Sequence, residues 1–174
     1  MKKALIETGK SLVEALIIVA IIIVVAYAAT GTWHIGFAVE SGSMLPNMQV
    51  GDLIFVQAPQ RTDIITCEEG KLADYKSFNG YGDVIIYRPN GLSSRTPIIH
   101  RAMYWVEEEG QMPNGRPAPH EGYITKGDNN AGYDQPNLQP VKPEWVVAIA
   151  KARAPYLGYP SLILKNPSIL KEWF

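Results

Sequence analysis

The chain has 174 residues, enough for one domain of ordinary size plus a membrane anchor. A formal net charge of −1 gives no field that would draw in nucleic acid or another polyanion, and a single cysteine, Cys67, excludes an internal disulfide. His34, His100 and His120 follow no metal-ligand spacing, so no metal and no cofactor are expected, and Cys67 reads as an incidental thiol.

Residues 1–14 carry Lys2, Lys3 and Lys10 and read as a short cytoplasmic N-terminus. Residues 15–33 hold no charged side chain and are rich in Ile, Val and Ala. As a helix rising ~1.5 Å per residue this run covers about 28 Å, close to the hydrocarbon thickness of a bilayer. The lysines on its N-terminal side predict a cytoplasmic N-terminus, with everything beyond Trp33 on the outer or lumenal side of a cell membrane or endoplasmic-reticulum membrane. Trp33 fits an interfacial anchor. A competing reading is a cleavable signal peptide ending at Ala26-Tyr27-Ala28; the apolar run is longer than the usual apolar core of such peptides and continues past that site, which favours a retained anchor.

Residues 34–154 read as a mainly β domain outside the membrane. Gly36 to Val39 is short and apolar. Gly51-Asp52 opens the β-rich run Leu53-Ile54-Phe55-Val56, and Gly82-Asp83 opens Val84-Ile85-Ile86-Tyr87 with the same grammar. Thr96 to Val106 forms a further strand carrying His100, Gly122 to Lys126 a short one, and Trp145 to Ala152 a last strong one. Residues 57–81 and 107–120 read as polar loops or insertions, the run Glu107-Glu108-Glu109 as a solvated face. The tail, residues 155–174, is apolar but broken by Pro160, Lys165 and Pro167, too interrupted to span a bilayer. It is expected either to rest on the membrane surface or to pack on the domain.

Between the anchor and the first Gly-Asp lies Glu40-Ser41-Gly42-Ser43-Met44-Leu45-Pro46. Gly42 opens backbone angles closed to other residues, and Pro46 pushes Leu45 toward extended geometry, so the stretch suits a turn holding a serine hydroxyl clear of the backbone. A serine nucleophile needs a base, the base needs a carboxylate to fix its tautomer, and the developing oxyanion needs donors. Ser43, His100 and the acidic loop containing Asp128 and Asp134 follow in that order. Each alone fits a blander role: a solvated turn, a core histidine, an ordinary Asx turn.

Taken together, Ser41-Gly42-Ser43-Met44-Leu45-Pro46, Gly51-Asp52, Gly82-Asp83-Val84-Ile85, Ile99-His100-Arg101 and Lys126-Gly127-Asp128-Asn129-Asn130 resemble the ordered boxes of type I signal peptidases. The resemblance is to the archaeal and endoplasmic-reticulum branch, where histidine stands in place of the bacterial lysine, and it covers roughly residues 12–160. It implies Ser43 as nucleophile, His100 as general base, Asp134 as the acid completing the triad, and Asp128 as a nearby supporting acid. Which aspartate orients His100 stays open at this point. It further implies the Ser43 N–H and the Ser41 hydroxyl at the oxyanion, and Arg101, Asn129 and Asn130 as bracing residues.

The implied activity is that of a membrane-bound serine endopeptidase cutting signal peptides from exported preproteins after Ala-x-Ala-type sites, without a cofactor. The bilayer and protein-export machinery are the implied surroundings. Ser43 lies ten residues past Trp33, at most about 33 Å of extended chain, which places the site near the membrane surface. Substrate is expected to add an extended strand to an exposed edge near Phe37 and Val39, or near Val84, Ile85, Ile86 and Tyr87. The rival readings are a non-catalytic membrane-anchored β-domain subunit of an export complex, and an exported protein that is itself cut after Ala28.

Overall fold

The computed structural model of the chain describes residues 2–135 and 137–167. Its long helix, α1 (Lys2–Thr30), differs at both ends from the charge-free stretch 15–33. It starts earlier because the lysine-bearing first residues are good helix formers, and it stops at Thr30, where the Gly31 N–H closes the last turn on Tyr27 O at 2.7 Å. Its segment Gly9–Thr30 is long and apolar enough to cross a membrane. Trp33, beyond the helix, stacks on Tyr27 with ring centroids 4.4 Å apart.

Beyond α1 the frequent Gly and Pro break the chain into short strands: β1 (Gly36–Ala38), β2 (Leu53–Gln57), β3 (Lys76–Ser77), β4 (Gly80–Tyr81), β5 (Val84–Tyr87), β6 (Ile98–Val106), β7 (Gly122–Lys126) and β8 (Val146–Ala154). Six of them form one antiparallel sheet in the order β1-β2-β8-β5-β6-β7, while β3 and β4 make a separate hairpin. The mainly β architecture behind one apolar N-terminal helix is thus as expected. Side chains alternate across β5 into two cores. Val84 and Ile86 join Val39, Met44, Ile54 and Ala150, whereas Ile85 and Tyr87 join Ala102, Val141 and Ile149.

Burial on both faces explains why β5 reads as an unbroken apolar run. It also corrects the expectation that Val84, Ile85, Ile86 and Tyr87 offer an edge to substrate. β5 is hydrogen-bonded to β8 on one side and β6 on the other, and all four residues are fully buried.

The two Gly-Asp boxes have a structural reason. Each aspartate is buried beside the start of its strand; Asp52 closes the turn before β2, and Asp83 ties down the distant Ile65 backbone. Asp52 Oδ2 accepts the Gln49 N–H at 2.9 Å and pairs with Arg153 at 3.2 Å, and Asp83 Oδ2 accepts the Ile65 N–H at 3.0 Å. The segment 57–81 is more ordered than a polar excursion. It contains α2 (Cys67–Ala73), started by a capping box between Thr66 and Glu69, and then the β3–β4 hairpin. Hydrogen bonds from Thr66 hold the Glu69 carboxyl below its ordinary value.

Asp83 also ties this insertion to the sheet, because Tyr75 donates its hydroxyl to Asp83 Oδ1 at 2.9 Å. Burial, with Asp83 adding to it, pushes the Tyr75 phenol up to about 12. Asp83→Ala leaves both donors without their acceptor and is expected to cost about 2–4 kcal/mol of stability, read as a lower denaturation midpoint. An unchanged midpoint would mean that the insertion is held elsewhere.

The last described element is α3 (Tyr159–Lys165). The Gly158 N–H bonds Gly51 O at 2.9 Å, and a Cβ on Gly158 would lie 2.6 Å from Asp52 O. This close approach lets α3 pack against the β1–β2 connection, with Leu162 buried and Lys165 paired to Glu40 at 2.7 Å. Part of the tail therefore lies on the domain; the remainder, with Ile169, Leu170, Trp173 and Phe174, lies outside the described residues.

Candidate active site

After β1 the chain enters a single 3-10 turn, Gly42–Met44. The turn is oriented by its ends: Met44 is buried in the core, which leaves the Ser43 hydroxyl on the open side. The loop after β7 clasps it. Asn129 donates its N–H to Ser43 O at 2.8 Å and its side-chain amide to Gly42 O at 3.2 Å. The Asn130 N–H closes that loop on Gly127 O at 2.9 Å.

His100 and Arg101 are neighbours on β6 and so point to opposite faces of the strand. Each takes one of the two candidate aspartates. His100 Nε2 lies 3.0 Å from Ser43 Oγ, and His100 Nδ1 lies 2.6 Å from Asp134 Oδ2. Arg101 grips Asp128 with two bonds, Nε to Oδ1 at 2.8 Å and Nη2 to Oδ2 at 2.7 Å. Asn47 donates to the same Oδ2 at 2.8 Å, and Arg101 Nη1 reaches Ser77 O and Gly82 O, both at 2.8 Å. Asp128 therefore belongs to a cradle that joins the 127–130 loop to the β3–β4 hairpin, and Asp134 is the aspartate at the histidine.

Asp134 is held by β7. Its N–H bonds Thr125 O at 2.9 Å, and the Thr125 hydroxyl donates to its Oδ2 at 2.6 Å. Tyr87 donates its phenol to the same oxygen at 2.9 Å. Burial, reinforced by the Asp134 charge, pushes the Tyr87 phenol well above its ordinary value, so it stays a donor. Ser41 Oγ lies 3.3 Å from Ser43 Oγ. Chemically, an imidazole bonded to a serine on one nitrogen and to a carboxylate on the other can take the hydroxyl proton and keep its charge balanced. Among the described residues no group of three His, Cys, Asp or Glu could hold a metal ion.

A groove of about 740 Å³ opens at Ser43. One wall is Phe37 to Ser41, the opposite wall is Thr96 to His100, and α3 adds Ser161, Leu162 and Lys165. Of the expected substrate-contacting residues, Phe37 and Val39 line it, whereas Val84, Ile85, Ile86 and Tyr87 do not. β1 pairs only with β2, and Ile98 to His100 of β6 pair with β5 but not with β7, so each wall has one strand edge without a partner in the sheet. Sequence reasoning missed Thr125, the Thr96–Ile99 wall and Leu162. Adjacency to His100 could have flagged the wall; Leu162 is brought there by tertiary packing alone.

Gly127 has no room for a side chain: a Cβ there would sit 2.6 Å from Ser43 O and 2.9 Å from His100 Nε2. Gly127→Ala is expected to wedge serine and histidine apart, lengthening the 3.0 Å contact between His100 Nε2 and Ser43 Oγ. A structure of the folded variant checks it; an unaltered distance would show that the loop yields freely.

No family profile matches the chain. It is 31% identical over 126 residues to the signal peptidase complex catalytic subunit SEC11 of Saccharomyces cerevisiae strain YJM789, a match covering 70% of this chain and 60% of that protein. The SEC11 proteins of strains RM11-1a and JAY291 match with the same figures. The chain thus spans about 60% of the length of these curated relatives. The chain is therefore homologous to SEC11, named as the catalytic subunit of a signal peptidase complex, over most of its own length.

Proposed function

We propose that the chain is the catalytic subunit of a membrane-bound signal peptidase, a serine endopeptidase that releases signal peptides from exported preproteins. The observation that carries this reading is the imidazole of His100, 3.0 Å from Ser43 Oγ on one side and 2.6 Å from Asp134 on the other. Ser43 Oγ attacks the scissile carbonyl while His100 Nε2 takes its proton. Asp134 holds Nδ1–H and balances the imidazolium; His100 then protonates the leaving amine, and water resolves the acyl-enzyme by the same route. The Ser43 N–H, at the start of a helical turn where amides lack intrahelical partners, and the Ser41 hydroxyl serve the oxyanion.

The substrate lies extended between β1 and the Thr96–Ile98 wall, adding backbone bonds to strand edges. β1 follows directly from α1, so the apolar part of the signal peptide runs back along β1 toward the bilayer. Phe37, Val39, Ile98 and Ile99 give the groove an apolar lining, and the proposed specificity is for small side chains at the first and third positions before the cut. The N-terminus is then cytoplasmic and the β domain extracytoplasmic. The relatives are named as subunits of a complex, and companion subunits in the export machinery are part of this proposal.

The test is cleavage of a preprotein bearing an Ala-x-Ala site by the full chain in lipid. Cleavage after the second alanine is expected, with kcat/KM falling ~10–200-fold per enlarged side chain when either alanine becomes leucine. Indifference to leucine would overturn the specificity, and an intact substrate with folded wild-type protein would favour a non-catalytic subunit.

A further inference from the structure

Tyr87 is an odd residue for its place. It lies at the end of β5 after Val84, Ile85 and Ile86, fully buried in a core of Ile85, Ala102, Val141 and Ile149. A phenylalanine would fill the same space without taking a hydroxyl out of water, and a buried hydroxyl is costly unless bonded. Thr125, also fully buried, has the same peculiarity in β7. Both hydroxyls are directed at one atom: Asp134 Oδ2 receives Thr125 Oγ1 at 2.6 Å and the Tyr87 phenol at 2.9 Å, and the two hydroxyl oxygens lie 3.0 Å apart. Each hydroxyl has one hydrogen. Either both donate to Oδ2, or one donates to the other, which donates to Oδ2. Both arrangements end on the oxygen that faces His100 Nδ1.

We propose that Tyr87 and Thr125 are positioning residues for catalysis, locking the Asp134 carboxylate in the rotamer that holds His100 toward Ser43. The proposal rests on the serine-peptidase reading above. Asp134 stands on a loop, and its carboxylate alone could turn about its own bonds. With two rigid strand hydroxyls on Oδ2, the oxygen that meets His100 is fixed by the sheet rather than by the loop. Neither residue touches the groove, so substrate binding is not their business.

The test compares Tyr87→Phe, Thr125→Val and Thr125→Ser in the full-length chain in lipid, with wild type and Ser43→Ala as references. Expected are losses in kcat of roughly 10- to 100-fold for Tyr87→Phe and Thr125→Val, KM within about two-fold of wild type, and recovery of most of the rate in Thr125→Ser. In an Asp134→Asn background, Tyr87→Phe should add less than about two-fold, because both changes remove the same support. A Tyr87→Phe enzyme with unchanged kcat, a loss that appears in KM, or a full loss persisting beside Asp134→Asn would overturn the proposal. If Tyr87→Phe does not fold, the Thr125→Val and Thr125→Ser pair decides: equal rates in both overturn it. Wild-type protein without Ser43-dependent cleavage would instead sink the peptidase reading. In that case the low-field Nδ1–H resonance of His100, expected to weaken in Tyr87→Phe and unaltered if the proposal is wrong, still reads the positioning.

Discussion

Ser43→Ala and His100→Ala are each expected to lower kcat by a factor of about 10⁴ or more, and the double variant to be scarcely slower than either single one. In the proposed mechanism the two groups perform one operation. Ser43 Oγ is a weak nucleophile until His100 Nε2, 3.0 Å away, takes its proton, and His100 without the serine has no covalent step to assist. KM should change little, since the groove walls remain. Single-turnover cleavage of an Ala-x-Ala preprotein reads this directly. Independent, multiplying losses would show that the two side chains act in separate steps and not as a pair.

The second large effect separates the two aspartates. Asp134→Asn keeps the shape of the site but offers His100 Nδ1 an amide, which can hold the imidazole in the wrong tautomer; a fall of about 10⁴ in kcat is expected with the denaturation midpoint nearly unmoved. Asp128→Asn does the reverse. It strips the counter-charge from Arg101, whose side chain is only 4% exposed, and should cost about 3–5 kcal/mol of stability. Its folded fraction is expected to retain cleavage within about ten-fold of wild type. Equilibrium denaturation and kcat, measured on the same preparations, check both halves. A stable but inactive Asp128→Asn with an active Asp134→Asn would exchange the roles.

Much of this was legible in the sequence because the decisive signals are local. The Gly-Asp turns, the apolar runs and the charge-free N-terminal stretch each declare an element without tertiary help. The serine turn and Ile99-His100-Arg101 could be recognised as boxes. What could not be read was anything that depended on pairing. The expectation for Val84 to Tyr87 is an exposed edge, and only the insertion of β5 between β8 and β6 shows it to be a central strand. The choice between Asp128 and Asp134 at the histidine was open because both belong to one loop; the alternation of His100 and Arg101 across β6 sends them to different partners. The helix at Cys67–Ala73 was announced by Thr66 and Glu69, a spacing hidden in a segment whose polarity suggested a loop. Tyr87 illustrates the hardest case. Its ring satisfies the apolar pattern of the strand, so nothing local marks its hydroxyl as having a partner 47 positions away.

The run Ala26-Tyr27-Ala28, which looks like a cleavage site, lies inside the last turns of α1. Its backbone is already engaged: Thr30 Oγ1 bonds Ala26 O at 2.8 Å, and the Gly31 N–H bonds Tyr27 O at 2.7 Å. A groove built from strand edges can engage only a chain whose amides and carbonyls are free to pair with it. On the proposed peptidase reading, this stretch of α1 is therefore shielded from other copies of the chain by conformation rather than by sequence. The shielding lasts as long as the helix stays wound, and on the same reading a helix-breaking change at Tyr27 is expected to open this stretch to cleavage.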